Sequence, residues 1–192
     1  MKHMKVAILL ATGLLTAAAA AEAQEKKSEE KKMEMPKPGP EHKKLGYFVG
    51  DWRSETDVKP GPWGPGGKMT GDSHCTWMDG GYFVVCRENA TGSMGKIQGL
   101  GIMGWDASSK QYTWNGFNSM GENERATGTL EGKTWTYVNE SMMGGKTVKG
   151  RYTMTEMSPT SYGFKFEMSE DGKTWSSMMD GKVTKKGAAS KM

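Results

Sequence analysis

The sequence predicts an all-β fold, an antiparallel up-and-down barrel of about ten strands. Segments in which apolar and polar residues alternate recur about every dozen residues, and turn residues separate them. No long stretch has the spacing of apolar residues that an amphipathic helix requires. Short links make successive strands antiparallel neighbours, and a row of about ten such strands must curl or close to protect its edges.

Each predicted strand is bounded by residues that favour turns. The predicted strands are Gly50–Lys59, Lys68–Met78, Tyr82–Thr91, Met94–Trp105, Gln111–Ser119, Glu122–Leu130, Thr134–Met142, Lys146–Met157, Ser161–Ser169 and Thr174–Thr184. On the strand 134–142, Trp135 and Tyr137 share one face and Val138 lies on the other. One buried and one solvated face is the pattern of an antiparallel barrel wall.

The hairpin of residues 73–87 is the segment around which we expect the fold to be organised. Two runs rich in aromatic and β-branched residues meet at Gly80-Gly81, and paired glycines supply the positive φ of a tight turn. Folding the chain about this pair places Cys75 opposite Cys86, the only two cysteines. Opposed residues of antiparallel strands have Cα atoms roughly 4.5–5.5 Å apart, within reach of a disulfide. The sequence therefore predicts a Cys75–Cys86 disulfide, with two unpaired buried cysteines as the alternative.

The first 23 residues have the pattern of a secretory signal peptide. A basic start, Met1–Lys5, precedes an apolar run from Val6 to Ala21, and Ala21-Glu22-Ala23 has the small residues of a cleavage site. The run is shorter than the ~20 residues of a membrane-spanning helix, so we expect no transmembrane span after cleavage. Export to the periplasm or the medium agrees with the predicted disulfide.

Three further segments complete the predicted organisation. Residues 24–44 alternate charges of both signs and then carry three prolines, which predicts a disordered or extended tether. Residues 45–184 form the predicted barrel domain, and residues 185–192 a basic tail. The barrel segment contains 14 Lys and Arg against 16 Asp and Glu. Its net charge of −2 argues against nucleic acid as a partner.

Residues 45–52, Leu-Gly-Tyr-Phe-Val-Gly-Asp-Trp, resemble the start of calycin-type barrels, in which a short helical turn precedes a Gly-x-Trp on the first strand. Two further motifs, Trp77-x-x-Gly80-Gly81-x-Phe83 and Gly101-x-x-Gly104-Trp105-Asp106, extend the likeness. The chain is similar to an uncharacterised bacterial family of exported lipocalin-like barrels over Leu45–Thr184. The resemblance implies a barrel fold and no settled activity. Arg151 is the candidate for the late arginine that packs on the first-strand tryptophan of lipocalins.

The histidine inventory argues against a metal or a cofactor. Only His74 lies within the predicted barrel, since His3 belongs to the signal peptide and His42 to the tether. A zinc site needs three or four ligands, and both cysteines are predicted to pair. Related haem-binding barrels use a late histidine that this chain lacks. We therefore expect no haem, and His74 is interpreted as a polar residue beside the disulfide, with a base or a ligand as the alternative.

Seventeen methionines raise the question of copper, because thioethers favour Cu(I). The densest pairs are Met33 with Met35, Met142 with Met143, Met154 with Met157, and Met178 with Met179. Methionine also fills irregular cores and lines adaptable cavities, which is the interpretation we adopt.

The favoured function is binding of a small apolar or amphipathic molecule in the barrel, without catalysis. The candidate ligand-binding residues are aromatic side chains of the strands, arginines to meet a carboxylate, and a loop tryptophan over the cavity mouth. They are Trp77, Trp114, Trp135, Tyr137, Phe164, Arg87, Arg125, Arg151 and Trp63. Two alternatives stay open: a hydrolase or isomerase that uses His74 with a carboxylate, and a structural envelope protein with a filled barrel. Glycines 95, 99 and 101 allow either strand coiling or close approach of a ligand.

Overall fold

Ten antiparallel strands close into a single barrel in the computed structural model, which describes residues 37–61, 64–93 and 95–187. The strands are β1 (Gly50–Val58), β2 (Gly67–Trp77), β3 (Val84–Gly92), β4 (Gly95–Asp106), β5 (Gln111–Asn118), β6 (Asn123–Glu131), β7 (Thr134–Met143), β8 (Lys146–Ser158), β9 (Ser161–Ser169) and β10 (Ser176–Lys185). Each strand pairs with its neighbours in sequence, and β10 pairs with β1. The predicted all-β, up-and-down barrel is confirmed.

Every strand begins and ends within two residues of its predicted bounds. The agreement follows from the turns, because glycine stands where the backbone needs a positive φ. In the β2–β3 connection φ is 89° at Gly80 and 73° at Gly81, and in the β7–β8 connection it is 58° at Gly144 and 81° at Gly145. Residues with a Cβ atom adopt these angles only with strain.

The β2–β3 hairpin has the predicted register. Cys75 lies opposite Cys86, and Trp77 lies opposite Val84. A disulfide joins the two cysteines, whose Cα atoms are 4.0 Å apart, and both are buried in the core. The predicted pairing of the cysteines is confirmed.

The segment before β1 is ordered, which corrects the end of the predicted tether. Pro40–Lys44 form a short helix, α1, and Leu45–Phe48 continue as a 3-10 helix that we call the plug. Tyr112 Oη donates a hydrogen bond to the Glu41 carboxylate at 2.7 Å, and the His42 ring meets the Tyr82 ring edge-on. Contacts with the barrel therefore order residues whose composition alone predicted disorder. Residues 24–36 and the predicted signal peptide lie outside the described residues.

The plug closes one end of the barrel. Leu45 and Phe48 are buried, and the Phe48 ring lies 5.1 Å from that of Trp135. Trp52 on β1 donates its indole N–H to the Phe48 carbonyl oxygen at 2.7 Å. These side chains form an aromatic floor of the barrel.

None of the helices in the described part of the chain is long and apolar enough to cross a membrane.

The cation that packs on the first-strand tryptophan is Lys185, not Arg151. Lys185 Nζ lies 5.1 Å from the centre of the Trp52 ring. Arg151 faces the outer wall, where it lies over the Trp175 ring at 4.1 Å. The predicted basic tail thus begins inside β10, and Lys186 continues it with an ion pair to Asp72 at 2.9 Å. Residues 188–192 lie outside the described part of the chain.

We expect the paired substitution Cys75→Ala and Cys86→Ala to lower the free energy of unfolding by about 2–3 kcal/mol, because so short a loop restricts the unfolded chain only modestly. Urea unfolding of the oxidised protein and of the double variant measures the difference. Adding a thiol reductant should destabilise the natural protein and leave the double variant unchanged. Equal stability of the oxidised protein and the double variant would contradict the expectation.

Candidate functional site

The barrel encloses a cavity of about 390 Å³ between the aromatic floor and the opposite end. Side chains from all ten strands line it. At the far end it reaches the β5–β6 turn, where Met120 and Glu122 line it and are exposed to solvent. The volume lies within the ~300–1,000 Å³ of small-molecule sites in proteins.

Aromatic and methionine side chains form the apolar part of the lining. Tyr152 stacks on Phe164 with ring centres 5.6 Å apart and an interplanar angle of 26°. Met154 and Met179 face the same space from β8 and β10. Methionine therefore fills the core and lines the cavity here, as the sequence interpretation proposed.

Trp114 lies against the backbone at two glycines that face each other across β4 and β5, Gly101 and Gly116. A Cβ atom at Gly101 would overlap the Trp114 indole, and one at Gly116 would lie 2.8 Å from its Nε1. Gly101 thus makes room for an indole of the protein itself. Gly99 differs, because a Cβ atom there would meet only ordinary contacts, of which the nearest is the Glu88 Cβ at 3.5 Å.

Two glutamates, Glu88 on β3 and Glu124 on β6, face the cavity. Glu124 accepts hydrogen bonds from Asn139 Nδ2 at 2.9 Å and from the Trp114 indole. Burial raises the pKa of the Glu124 carboxyl, the Trp114 hydrogen bond opposes that shift, and the charge of Glu122 adds to it. The Glu88 side chain is accessible to solvent through the cavity. The barrel wall encloses this carboxyl group, and the enclosure raises its pKa.

Two tyrosines lie close to these carboxylates. Burial raises the pKa of Tyr152 well above its usual value, and Tyr162, Glu88 and Glu124 add to the shift in that order. Burial also raises the pKa of Tyr162, with further effects from Glu88 and Tyr47. We call Glu88, Glu124, Tyr152 and Tyr162 the polar cluster.

The Tyr137 hydroxyl group is an unsatisfied polar atom in the barrel interior. Tyr137 lines the cavity, is 3% exposed, and lies directly opposite Tyr152 in the β7–β8 pair. Its hydroxyl has no hydrogen-bond partner among the described residues. A buried hydroxyl group without a partner is destabilising by about 1–3 kcal/mol.

Of the predicted ligand-binding residues, the structure brings Trp114, Tyr137 and Phe164 together around the cavity. Trp135 lies below it, fully buried in the floor, where its indole donates to Glu156 at 2.8 Å. Trp77 lies outside it, 37% exposed and next to Gly46 of the plug. Trp63 belongs to the β1–β2 loop and lies outside the described residues.

The three arginines predicted to meet a carboxylate lie on the outer wall, which corrects that prediction. Arg87 and Arg125 are exposed, and Arg151 pairs with Glu167 at 2.7 Å. Each arginine is adjacent in sequence to an inward-facing residue, and neighbours along a strand point to opposite faces. The same alternation, applied from Cys86 or Ala126, identifies Glu88 and Glu124, which the sequence interpretation missed.

The one barrel histidine is also remote from the cavity. His74 Nδ1 lies 2.7 Å from Asp51 Oδ1, and both side chains are about 60% exposed on the outer wall. A base at this position does not reach a molecule inside the barrel. Over the described residues, no group of three or more His, Cys, Asp or Glu side chains is placed to hold a metal ion.

A larger concavity, of about 1,100 Å³, lies on the outer wall across β8–β10 and β1–β2. Most of its charged residues form ion pairs, such as Lys68 with Asp57 at 2.6 Å and Arg151 with Glu167 at 2.7 Å. Threonines occupy much of the remaining surface. This alternation of paired charges and hydroxyl groups is that of a solvated β-sheet face, so we place the candidate site in the internal cavity.

These features define a closed, plugged up-and-down barrel with an internal cavity. The chain belongs to the family described as Protein of unknown function (DUF1579), whose pattern matches residues 37–185, from the segment before α1 to the last strand. No curated protein matches the chain.

Comparison with solved structures finds three similar chains, and the first of them supports the fold. The crystal structure of Rv2717c from M. tuberculosis is 11% identical, with 77% of this chain and 98% of that chain covered and a TM-score of 0.53. A redesigned β-barrel, mFAP0, bound to DFHBI is 16% identical over 72% of this chain and 99% of its own, with a TM-score of 0.42. A de novo designed fluorescence-activating β-barrel is 15% identical over 73% of this chain and 95% of its own, with a TM-score of 0.42.

We expect Glu88→Gln to stabilise the protein near pH 8 and to have little effect near pH 4. Because enclosure raises the pKa of Glu88 above its unfolded value of about 4.3, the native state binds the proton more tightly than the unfolded state. The contribution of Glu88 to stability is therefore present at low pH and is lost as the pH rises through its folded pKa. Urea unfolding of both proteins at the two pH values measures the change.

A matched control is Glu55→Gln, since Glu55 lies exposed on the outer wall of β1. Its effect should be small and similar at both pH values. If Glu88→Gln changes stability equally at pH 4 and pH 8, the carboxylate is not destabilised by its enclosure.

Proposed function

We propose that the barrel binds a small, largely apolar molecule in its internal cavity and does not transform it. The observation that carries this proposal is the cavity of about 390 Å³ above the aromatic floor, lined by Trp114, Tyr152, Phe164 and Phe166. Tight packing is the norm in protein interiors, where voids larger than a water molecule are few. A cavity of this size in a disulfide-linked barrel therefore supports a binding role.

Small residues at inward positions favour this function over that of a filled structural barrel. Ala90 and Gly99 line the cavity from β3 and β4, and larger side chains at these positions would occupy its space. The polar cluster also argues against a filled structural barrel, because burying carboxylates in a core is destabilising. Small residues and carboxylates at inward positions therefore favour a binding cavity over a filled core.

A catalytic role for His74 gains no support from its position. The His74–Asp51 pair faces solvent, and the wall of the barrel separates it from the cavity. We therefore place the hydrolase or isomerase alternative behind the binding role.

We further propose that the protein works as an exported, lipocalin-like barrel in an oxidising compartment, the periplasm or the medium. The disulfide between Cys75 and Cys86 supports this location, because such bonds persist outside the reducing cytosol. The predicted signal peptide at residues 1–23 is the second argument, and it rests on the sequence alone.

The binding role is tested by filling the cavity. N-phenyl-1-naphthylamine is an uncharged dye whose fluorescence rises in apolar surroundings, and we expect the natural protein to bind it. Ala90→Trp places an indole in the cavity and should abolish the fluorescence increase. Thr91→Trp, one residue further on the outward face of β3, adds the same side chain outside the cavity and should leave binding intact.

Circular dichroism melting shows whether the Ala90→Trp variant is folded, and Gly99→Leu is a second filling variant if it is not. Equal dye binding by the natural protein and by a folded filling variant would place the site elsewhere. Absence of dye binding by the natural protein would count against the proposed function.

A further inference from the structure

Basic and acidic side chains are distributed differently on the two faces of the barrel wall. Outside, lysines and arginines pair with carboxylates, as in Arg53 with Asp72 at 3.2 Å and Lys59 with Asp180 at 2.7 Å. Inside, the described residues that line the cavity include no Lys, Arg or His. The interior therefore presents negative charge without a cation of the protein to balance it.

Glu88 and Glu124 carry this charge into the cavity. Within the described ranges, neither carboxylate lies within ion-pair distance of a basic group. Glu124 is held by Asn139 and Trp114, which fixes its orientation toward the cavity. An enclosed carboxylate without a neighbouring cation is destabilising, so a ligand that brings a positive charge to it gains affinity.

Aromatic side chains line the same cavity as the two carboxylates. They include Tyr152, Tyr162 and Trp114. Ring faces attract cations, and tyrosine and tryptophan do so more strongly than phenylalanine. Carboxylates set among such rings form an environment suited to an ammonium group.

We infer that the cavity selects amphipathic cations, molecules with a compact apolar body and an amine or ammonium group that meets Glu88 and Glu124. This inference rests on the proposed function and specifies the class of ligand. The apolar body packs against Trp114, Phe164 and Phe166. Fatty acids and other carboxylates are rejected, because their charge would face two carboxylates with no cation between them.

Three probes that share a naphthalene ring test the inference: 1-naphthylmethylamine, 1-naphthalenemethanol and 1-naphthoate, which are cationic, neutral and anionic at pH 7.5. Isothermal titration calorimetry gives the affinity of each for the full protein. We expect the amine to bind about tenfold or more tighter than the alcohol, since charge-assisted hydrogen bonds are stronger than neutral ones, and naphthoate to bind most weakly.

The double variant Glu88→Gln with Glu124→Gln should lose about tenfold or more in affinity for the amine and keep its affinity for the alcohol. Glu55→Gln changes the net charge by one unit on the outer wall and should leave the preference for the amine unchanged. Melting curves verify that each variant is folded.

The outcomes separate the inference from the proposed function. If the natural protein binds the amine and the alcohol equally, or naphthoate best, the cation preference is overturned and the binding role stands. Binding of N-phenyl-1-naphthylamine without binding of 1-naphthylmethylamine would also overturn the cation preference and leave the binding role standing. If none of the four compounds binds, the proposed function is overturned together with the inference.

Discussion

Closure of ten strands into one barrel is the constraint on which the rest of the structure depends. Closure removes the free sheet edges, but it leaves an interior wider than that of an eight-stranded barrel, which side chains just fill. The chain fills one end with the plug, where the Phe48 carbonyl accepts the Trp52 indole N–H and the Phe48 ring packs on Trp135. Beyond this floor the inward side chains do not fill the interior, and the remaining space is the cavity of about 390 Å³.

The sequence predicted the strands well because their signals are local. Alternation and glycine turns lie within a few residues of one another, and the register of the β2–β3 hairpin follows from Gly80-Gly81 alone. The segment Pro40–Lys44 was predicted wrongly because its order depends on distant partners, such as Tyr112 for Glu41. Amino-acid composition does not reveal such long-range contacts, so a charged segment that packs on the barrel is predicted to be a disordered tether.

The candidate site could be predicted only in part, because two non-local quantities decide which residues line it. One is which face of each strand points into the barrel. An error of one residue in this assignment places Arg87 instead of Glu88 in the cavity and reverses the sign of the charge assigned to it. The other is depth along the barrel axis, which depends on the stagger between strands. Trp135 and Tyr137 share a face of β7, yet Trp135 lies in the floor and Tyr137 at the cavity.

The glycines of β4 and β5 connect the shape of the wall to the chemistry of the cavity. Gly101 and Gly116 face each other across the strand pair, and the absence of their side chains lets the Trp114 indole lie against the backbone. From that position the indole N–H donates to Glu124, which also accepts a hydrogen bond from Asn139. A side chain at Gly101 would displace the indole and so release the carboxylate from one of its two donors. The orientation of the acid thus depends on glycines that, in the sequence alone, indicate no more than a coiled strand.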